Sequence, residues 1–143
     1  MIGHSARTLT DAIIAALDVA GITVGDGEKP AGGGWDDVAR LSDHGGYVLL
    51  YPLVGGTTAG PISDLAADAT VLYQLTAVGA SRQQAEWIAD QARVVMLSKA
   101  FAPAGRVVTL VMIDMLGGAT RDDAGKTPLW FSPDRYSVTT VPA

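Results

Sequence analysis

The chain contains no cysteine, which removes disulfides and thiolate metal ligands together. Its two histidines, His4 and His44, stand at no metal-ligand spacing, so neither a metal nor another cofactor is expected. Aromatic residues amount to 6%, and Tyr47, Tyr51 and Tyr73 do not interleave with Lys or Arg as a base-stacking platform requires. Positive charge is scarce too: 10 Lys and Arg against 15 Asp and Glu leave a formal charge of −5. Gripping nucleic acid by its phosphates takes a basic stripe, which this balance disfavours. DNA could still pass such a surface without adhering to it. No apolar run approaches the roughly 20 residues of a membrane helix, which argues against a membrane role. The apolar stretch 12–24 is interrupted by Asp18 and preceded by one basic residue, Arg7, so it reads as an amphipathic helix and not as a targeting signal.

What the chain has in quantity is apolar residues, 48% of 143, high for a soluble monomer of this size. This length suits one domain with a real core, and residues 1–143 are expected to form it. The surplus apolar surface points to contact between subunits, although Ala and Gly raise the apolar count without adding much buried area.

The organising stretch is 69–101. Residues 69–78 are rich in the β-branched and aromatic side chains that suit a pleated surface, and Gly79 ends them. Ser81 stands three residues before Gln84, the spacing of a capping box, in which each side chain satisfies a backbone N–H orphaned by the first helical turn. Beyond it Ala85, Ile88, Ala89, Ala92, Val95 and Met96 recur at three- and four-residue spacing and share one helix face. Trp87 and Val94 fall off that stripe.

Upstream, a first helix is predicted from near Thr8, with Asp11 completing a second capping box and Leu9, Ala12, Ile13, Ala16, Leu17 and Ala20 as its apolar stripe. Gly21 closes it, and residues 22–24 form a short extended piece. Residues 26–46 make a long loop rich in Gly, Pro, Asp and Lys, with room for a helical turn over 35–41; loops of this length tend to carry function. Residues 47–54 read as a strand whose Pro52 implies an edge or an irregularity, and 55–61 as a wide turn. Residues 106–116 are apolar on both faces, which predicts a central strand. A second long connection spans 117–128, and residues 130–140 supply a final strand or a pair of short ones. This order predicts an α+β fold, one mostly antiparallel or mixed sheet with two amphipathic helices packed on one face.

No catalytic constellation emerges, and the chain is not expected to be an enzyme. Gly125-Lys126-Thr127 has the tail of a phosphate-binding loop, but Thr120 occupies the place of its first glycine. Asp122 and Asp123 stand where phosphates need donors, and Pro128 follows where a helix should be under way. His44-Gly45-Gly46 has the form of a lipase oxyanion turn, with no Gly-x-Ser-x-Gly elbow anywhere in the chain. Asp36-Asp37 and Asp122-Asp123 are adjacent carboxylates in Gly-rich loops, where solvation is the ordinary reading. A small monomeric hydrolase or ligand-binding domain built on them is the alternative from another functional class. Asp114 shares a strand face with Val108, Leu110 and Met112. If buried it needs a partner such as Arg135; otherwise it marks where the strand emerges into water.

Several stretches carry a resemblance in order along most of the chain. The most specific is 73–93, YQLTAVGASRQQAEWIADQAR. With it go 21–27 (GITVGDG) followed by Pro30, the strand 47–52 (YVLLYP) with Gly55-Gly56, the Gly60-Pro61 turn, and Asp134-Arg135-Tyr136. Together they resemble the tail terminator proteins of long non-contractile-tailed (siphovirus-type) phages of actinobacteria. The glycine loop 32–34 and segment 117–126 have no counterpart.

The resemblance implies a structural virion protein at the tail-neck junction, assembled in the host cytoplasm and without catalytic activity. Such proteins form a hexameric ring that caps the tube of major tail protein at its set length and offers a surface to the head-side connector or stopper protein. DNA passes through the lumen without specific binding. Neighbouring head-tail connector and neck proteins have similar short domains and are the alternative. A cyclic head-to-tail ring requires two different, complementary faces on every subunit. Candidates for such contacts are Trp87 and Val94, together with Trp35, Thr120, Arg121, Asp122, Asp123 and Lys126 in the two long loops. Polar loops that lose entropy on ordering need a partner to hold them.

Overall fold

The computed structural model describes residues 6–30, 35–36, 41–42, 45–59, 68–101, 103–123 and 128–143. The elements are α1 (Ala6–Val19), β1 (Val24–Asp26), β2 (Trp35–Asp36), β3 (Leu41–Ser42), β4 (Tyr47–Ala59), β5 (Asp68–Gly79), α2 (Arg82–Ser98), β6 (Arg106–Leu116), β7 (Thr120–Asp122) and β8 (Leu129–Pro142). Six strands form one mixed sheet in the order β1-β4-β5-β8-β6, with β7 also paired to β8. Only the β1–β4 pair is parallel. Both helices feed one core with the sheet, giving the α+β fold expected from the element order.

Side-chain periodicity explains that core. Leu9, Ile13 and Leu17 recur every four residues along α1, and Ala85, Ile88, Ala89, Ala92 and Met96 follow the helical spacing of α2. They meet alternate residues of the strands: Val48 and Leu50 on β4, Val71, Tyr73, Leu75 and Ala77 on β5, and Tyr136 and Val138 on β8. Each large aliphatic side chain so buried contributes about 1.5–3 kcal/mol. A polar bond crosses this interior, between Thr10 Oγ1 on α1 and the Tyr73 hydroxyl on β5 at 2.9 Å.

The start of α2 follows from its sequence. Ser81 Oγ accepts from the Gln84 N–H at 3.1 Å. Gln84 Oε1 accepts from the Ala80 N–H at 2.7 Å, one residue earlier than a standard capping box. Its Nε2 also donates to the Gly45 carbonyl at 2.9 Å, which ties the helix to the turn that begins β4. Gly46 lies in that turn with φ +100, and a Cβ there would stand 2.3 Å from Ile88 Cδ1, so only glycine fits. The helix ends at Ser98 on a left-handed Lys99 (φ 58) and does not run on to Phe101.

Other expectations are corrected. Helix α1 begins at Ala6, which puts Thr8 and Asp11 inside it; Asp11 accepts from Arg7 one turn earlier, at 2.6 Å, instead of capping. Residues 35–36 and 41–42, expected within a helical turn over 35–41, pair instead as a separate antiparallel ladder; residues 37–40 lie outside the described residues. The wide turn expected at 55–61 is strand as far as Ala59, with the register slipping between Leu53 and Thr57. Pro52 sits where its missing N–H does no harm. Val48 and Leu50 bond towards β1, Pro52 points the same way, and β1 pairing stops at Leu50. The connection 117–128 contains β7.

The largest correction concerns the last strands. Residues 106–116 were expected at the centre, yet β6 is at the sheet edge, and the final strand β8 takes the central place between β5 and β6. Val108 and Val111 on one face of β6 enter the core, so the apolar character of its other face records something other than burial by its own chain.

Candidate subunit interfaces

The helix layer carries a shallow apolar trough between α1 and α2, of about 490 Å³, lined by Ala12, Ala15, Ala16 and Val19 on one side and Val94, Val95, Ser98 and Phe101 on the other. It exists because α1 presents alanines where larger residues would close the seam. Val19 and Val94 are 89% and 68% exposed. Trp87, two turns before Val94 on the same side of α2, is 62% exposed and borders a small slot with Ala20, Gly21 and Ile22. The two residues that broke the periodicity of α2 thus lie on one side of the helix, in neighbouring hollows that share Ala20 and have exposed Gln91 between them.

The opposite side of the sheet carries a second. Val107, Leu110, Met112 and Met115 pair with Val141, Thr139, Ser137 and Arg135 of β8, the residues that alternate with core-facing Thr140, Val138 and Tyr136. All four therefore project away from the helices, and they are 48–55% exposed. Register shifts at Val108/Leu110 and Ile113/Met115 keep the apolar residues on that face. This surface was missed from sequence, although its trace was there: a strand apolar on both sides is either central or covered by another molecule.

Asp114 falls in the second register shift and is exposed, so it marks where the strand emerges into water. It borders a hollow with Leu53, Leu72 and Arg135 but forms no ion pair with Arg135 among the described residues. Thr120, Arg121, Asp122 and Asp123 are exposed. Strand β7 pairs with β8 on the side that β6 occupies, so these residues prolong the β6 edge. Arg121 Nε donates to Asp123 Oδ1 at 2.7 Å; as an exposed pair it adds little stability. Trp35 contributes backbone to β2, but its side chain lies outside the described residues. So do Lys126, His4, His44, Asp37 and the rest of the Gly125-Lys126-Thr127 motif.

Between the two surfaces a charged clamp fixes the helix layer to the sheet edge. Asp134 on β8 is 2% exposed and accepts from Arg93 Nε at 2.8 Å and Nη2 at 3.2 Å, and from the Gly117 N–H at 3.3 Å. Arg93 also reaches Asp90 on its own helix. Burial is the largest influence on the Arg93 charge and opposes it, but the Asp134 hydrogen bond and the charges of Asp134 and Asp90 together outweigh it and the pKa is raised. At Gly117 a Cβ would lie 2.1 Å from the Pro133 carbonyl oxygen, so the chain passes from β6 to β7 only through glycine there. Among the described residues no group of three or more His, Cys, Asp and Glu is placed to hold a metal ion. No described helix is long and apolar enough to cross a membrane.

No protein-family model matches the chain, and no curated protein matches it. Solved structures do. A chain from the virion of a native gene transfer agent particle is 13% identical, with a TM-score of 0.54 over 96% of this chain and 90% of that one. A second solved chain is 16% identical, with a TM-score of 0.54 over 99% of this chain and 97% of its own. At such identities the likeness is one of fold: nearly end to end, this helix-covered sheet is similar to a domain found in a virion particle.

Proposed function

We propose that the chain is a structural virion protein that forms a ring on the tail tube, ends tube growth and joins the tail to the head-side connector. The observation that carries this reading is the pair of exposed apolar surfaces on opposite sides of a domain whose fold is shared with a virion chain. A monomer gains nothing from holding Val19, Val94, Leu110 and Met112 in water, whereas a head-to-tail ring buries two different faces of every subunit. The sequence resemblance to tail terminators supports a position at the end of the tail tube, and the net acidity suits a lumen through which DNA slides without sticking. No step of this role requires a reacting group.

The test is to add the purified protein to tubes polymerising from the tail protein of the same virus. Electron microscopy should show rings at one end of each tube, and tube length should stop increasing. Protein that never binds tube ends at any concentration, and leaves their growth unchanged, would refute the reading.

A further inference from the structure

We propose that the joint between neighbouring subunits is formed by the outer face of β6 on one copy seated on the α1–α2 trough of the next. This rests on the ring reading and assigns its two faces. The shapes are complementary: Val107, Leu110, Met112 and Met115 make a ridge, and the alanine-floored trough between Val19 and Val94 makes a hollow. The ridge spans seven paired positions of β8, from Val141 to Arg135, about 20 Å at about 3.4 Å per residue. The trough runs about 10 Å along α1 from Ala12 to Val19 at about 1.5 Å per residue. The slot beside Trp87 extends the groove along α2 to about 16 Å from Trp87 to Ser98, so the ridge is somewhat longer than the trough alone. Methionine on the ridge adapts to an imperfect fit.

Charge selects the occupant. Copies with a formal charge of −5 repel one another except where they meet through surface of little charge. The trough lining holds no charged side chain, and the four ridge residues are uncharged, with exposed Asp114 and Arg135 at the Met115 end. The two register shifts of β6 discourage direct strand pairing at its edge, which leaves its outer side chains to make the contact. A two-fold contact would bury one face and leave the other in water, whereas the head-to-tail joint covers both. A standard interface takes about 800 Å² per partner, about a tenth of the 7710 Å² surface.

The absence of native cysteine allows a direct test. The full chain carrying both Val94→Cys and Met112→Cys, two exposed positions, is treated with a mild oxidant at rising protein concentration. Each single variant is treated in parallel. The expected result is a covalent ladder from the double variant and none from either single one. Dimers from a single variant as abundant as the ladder, or no ladder up to millimolar protein, would overturn the proposal. Native mass spectrometry of the unmodified protein separates the two levels. Closed rings without a ladder leave the ring reading standing and this joint refuted. A ladder of open chains that never closes supports the joint and counts against the ring, and neither product refutes the joint while the ring reading is decided by the tube-end experiment.

Discussion

Two buried tyrosines illustrate how partner and burial act separately. The Tyr73 hydroxyl bonds Thr10 across the core, while the Tyr136 hydroxyl, equally buried, has no hydrogen-bond partner among the described residues. Deleting a bonded hydroxyl costs about 1 kcal/mol, and deleting an unpaired one removes a desolvation penalty. Tyr73→Phe should therefore lower the unfolding free energy by about 1 kcal/mol in urea titration, and Tyr136→Phe should leave it unchanged or raise it. Burial lifts the hydroxyl pKa of Tyr47, Tyr73 and Tyr136 above the ordinary 10.0. Between that value and the folded-state values the native protein holds protons that the unfolded chain has lost, so stability must fall as pH rises. This contribution is fully present below pH 10, declines above it, and should decline less in Tyr136→Phe, read as melting temperature against pH. At the clamp, Arg93→Ala leaves the Asp134 carboxylate buried and uncompensated. It should cost about 3 kcal/mol, measured by the same titration.

At the level of elements, α2 is the segment whose sequence and structure agree most closely. Its cap, its stripe and its two off-stripe residues are all local consequences of helical spacing, and each could be read before any neighbour was known. Ser81→Ala should cost about 1 kcal/mol through the lost cap bond. Met96→Ala should cost about 2–5 kcal/mol, because Met96 is fully buried, whereas Val94→Ala should change the stability of the monomer by less than about 0.5 kcal/mol. Strand β6 was read wrongly for a reason that applies to any strand: alternation shows that both faces are apolar, but not which molecule covers each. Strands β2, β3 and β7 are too short for periodicity to register; each is held by a distant partner or a facing strand.

For the molecule as a whole, the consequence is that its stability should depend on its own concentration. If ridge and trough join copies, assembly stabilises the folded state by mass action. The melting temperature of the wild type should rise with protein concentration, and Leu110→Ser with Met112→Ser should abolish the rise without lowering the dilute-limit value. A wild-type melting temperature independent of concentration over the range where tubes are capped would count against the joint. The candidates named from sequence divide accordingly. Trp87 and Val94 lie on the trough side, and Thr120, Arg121, Asp122 and Asp123 lie along the β6 edge, so the loop residues and the helix residues belong to different faces of the molecule. By itself the sequence determined the two amphipathic helices, the cap at Ser81, the strand that precedes it and the α+β class, because these depend on spacing within a few residues. Only the tertiary structure decided that β8 is central and β6 peripheral, and that a ridge and a trough lie on opposite sides. Those features depend on which distant strands pair, and strand order leaves no local mark in the chain.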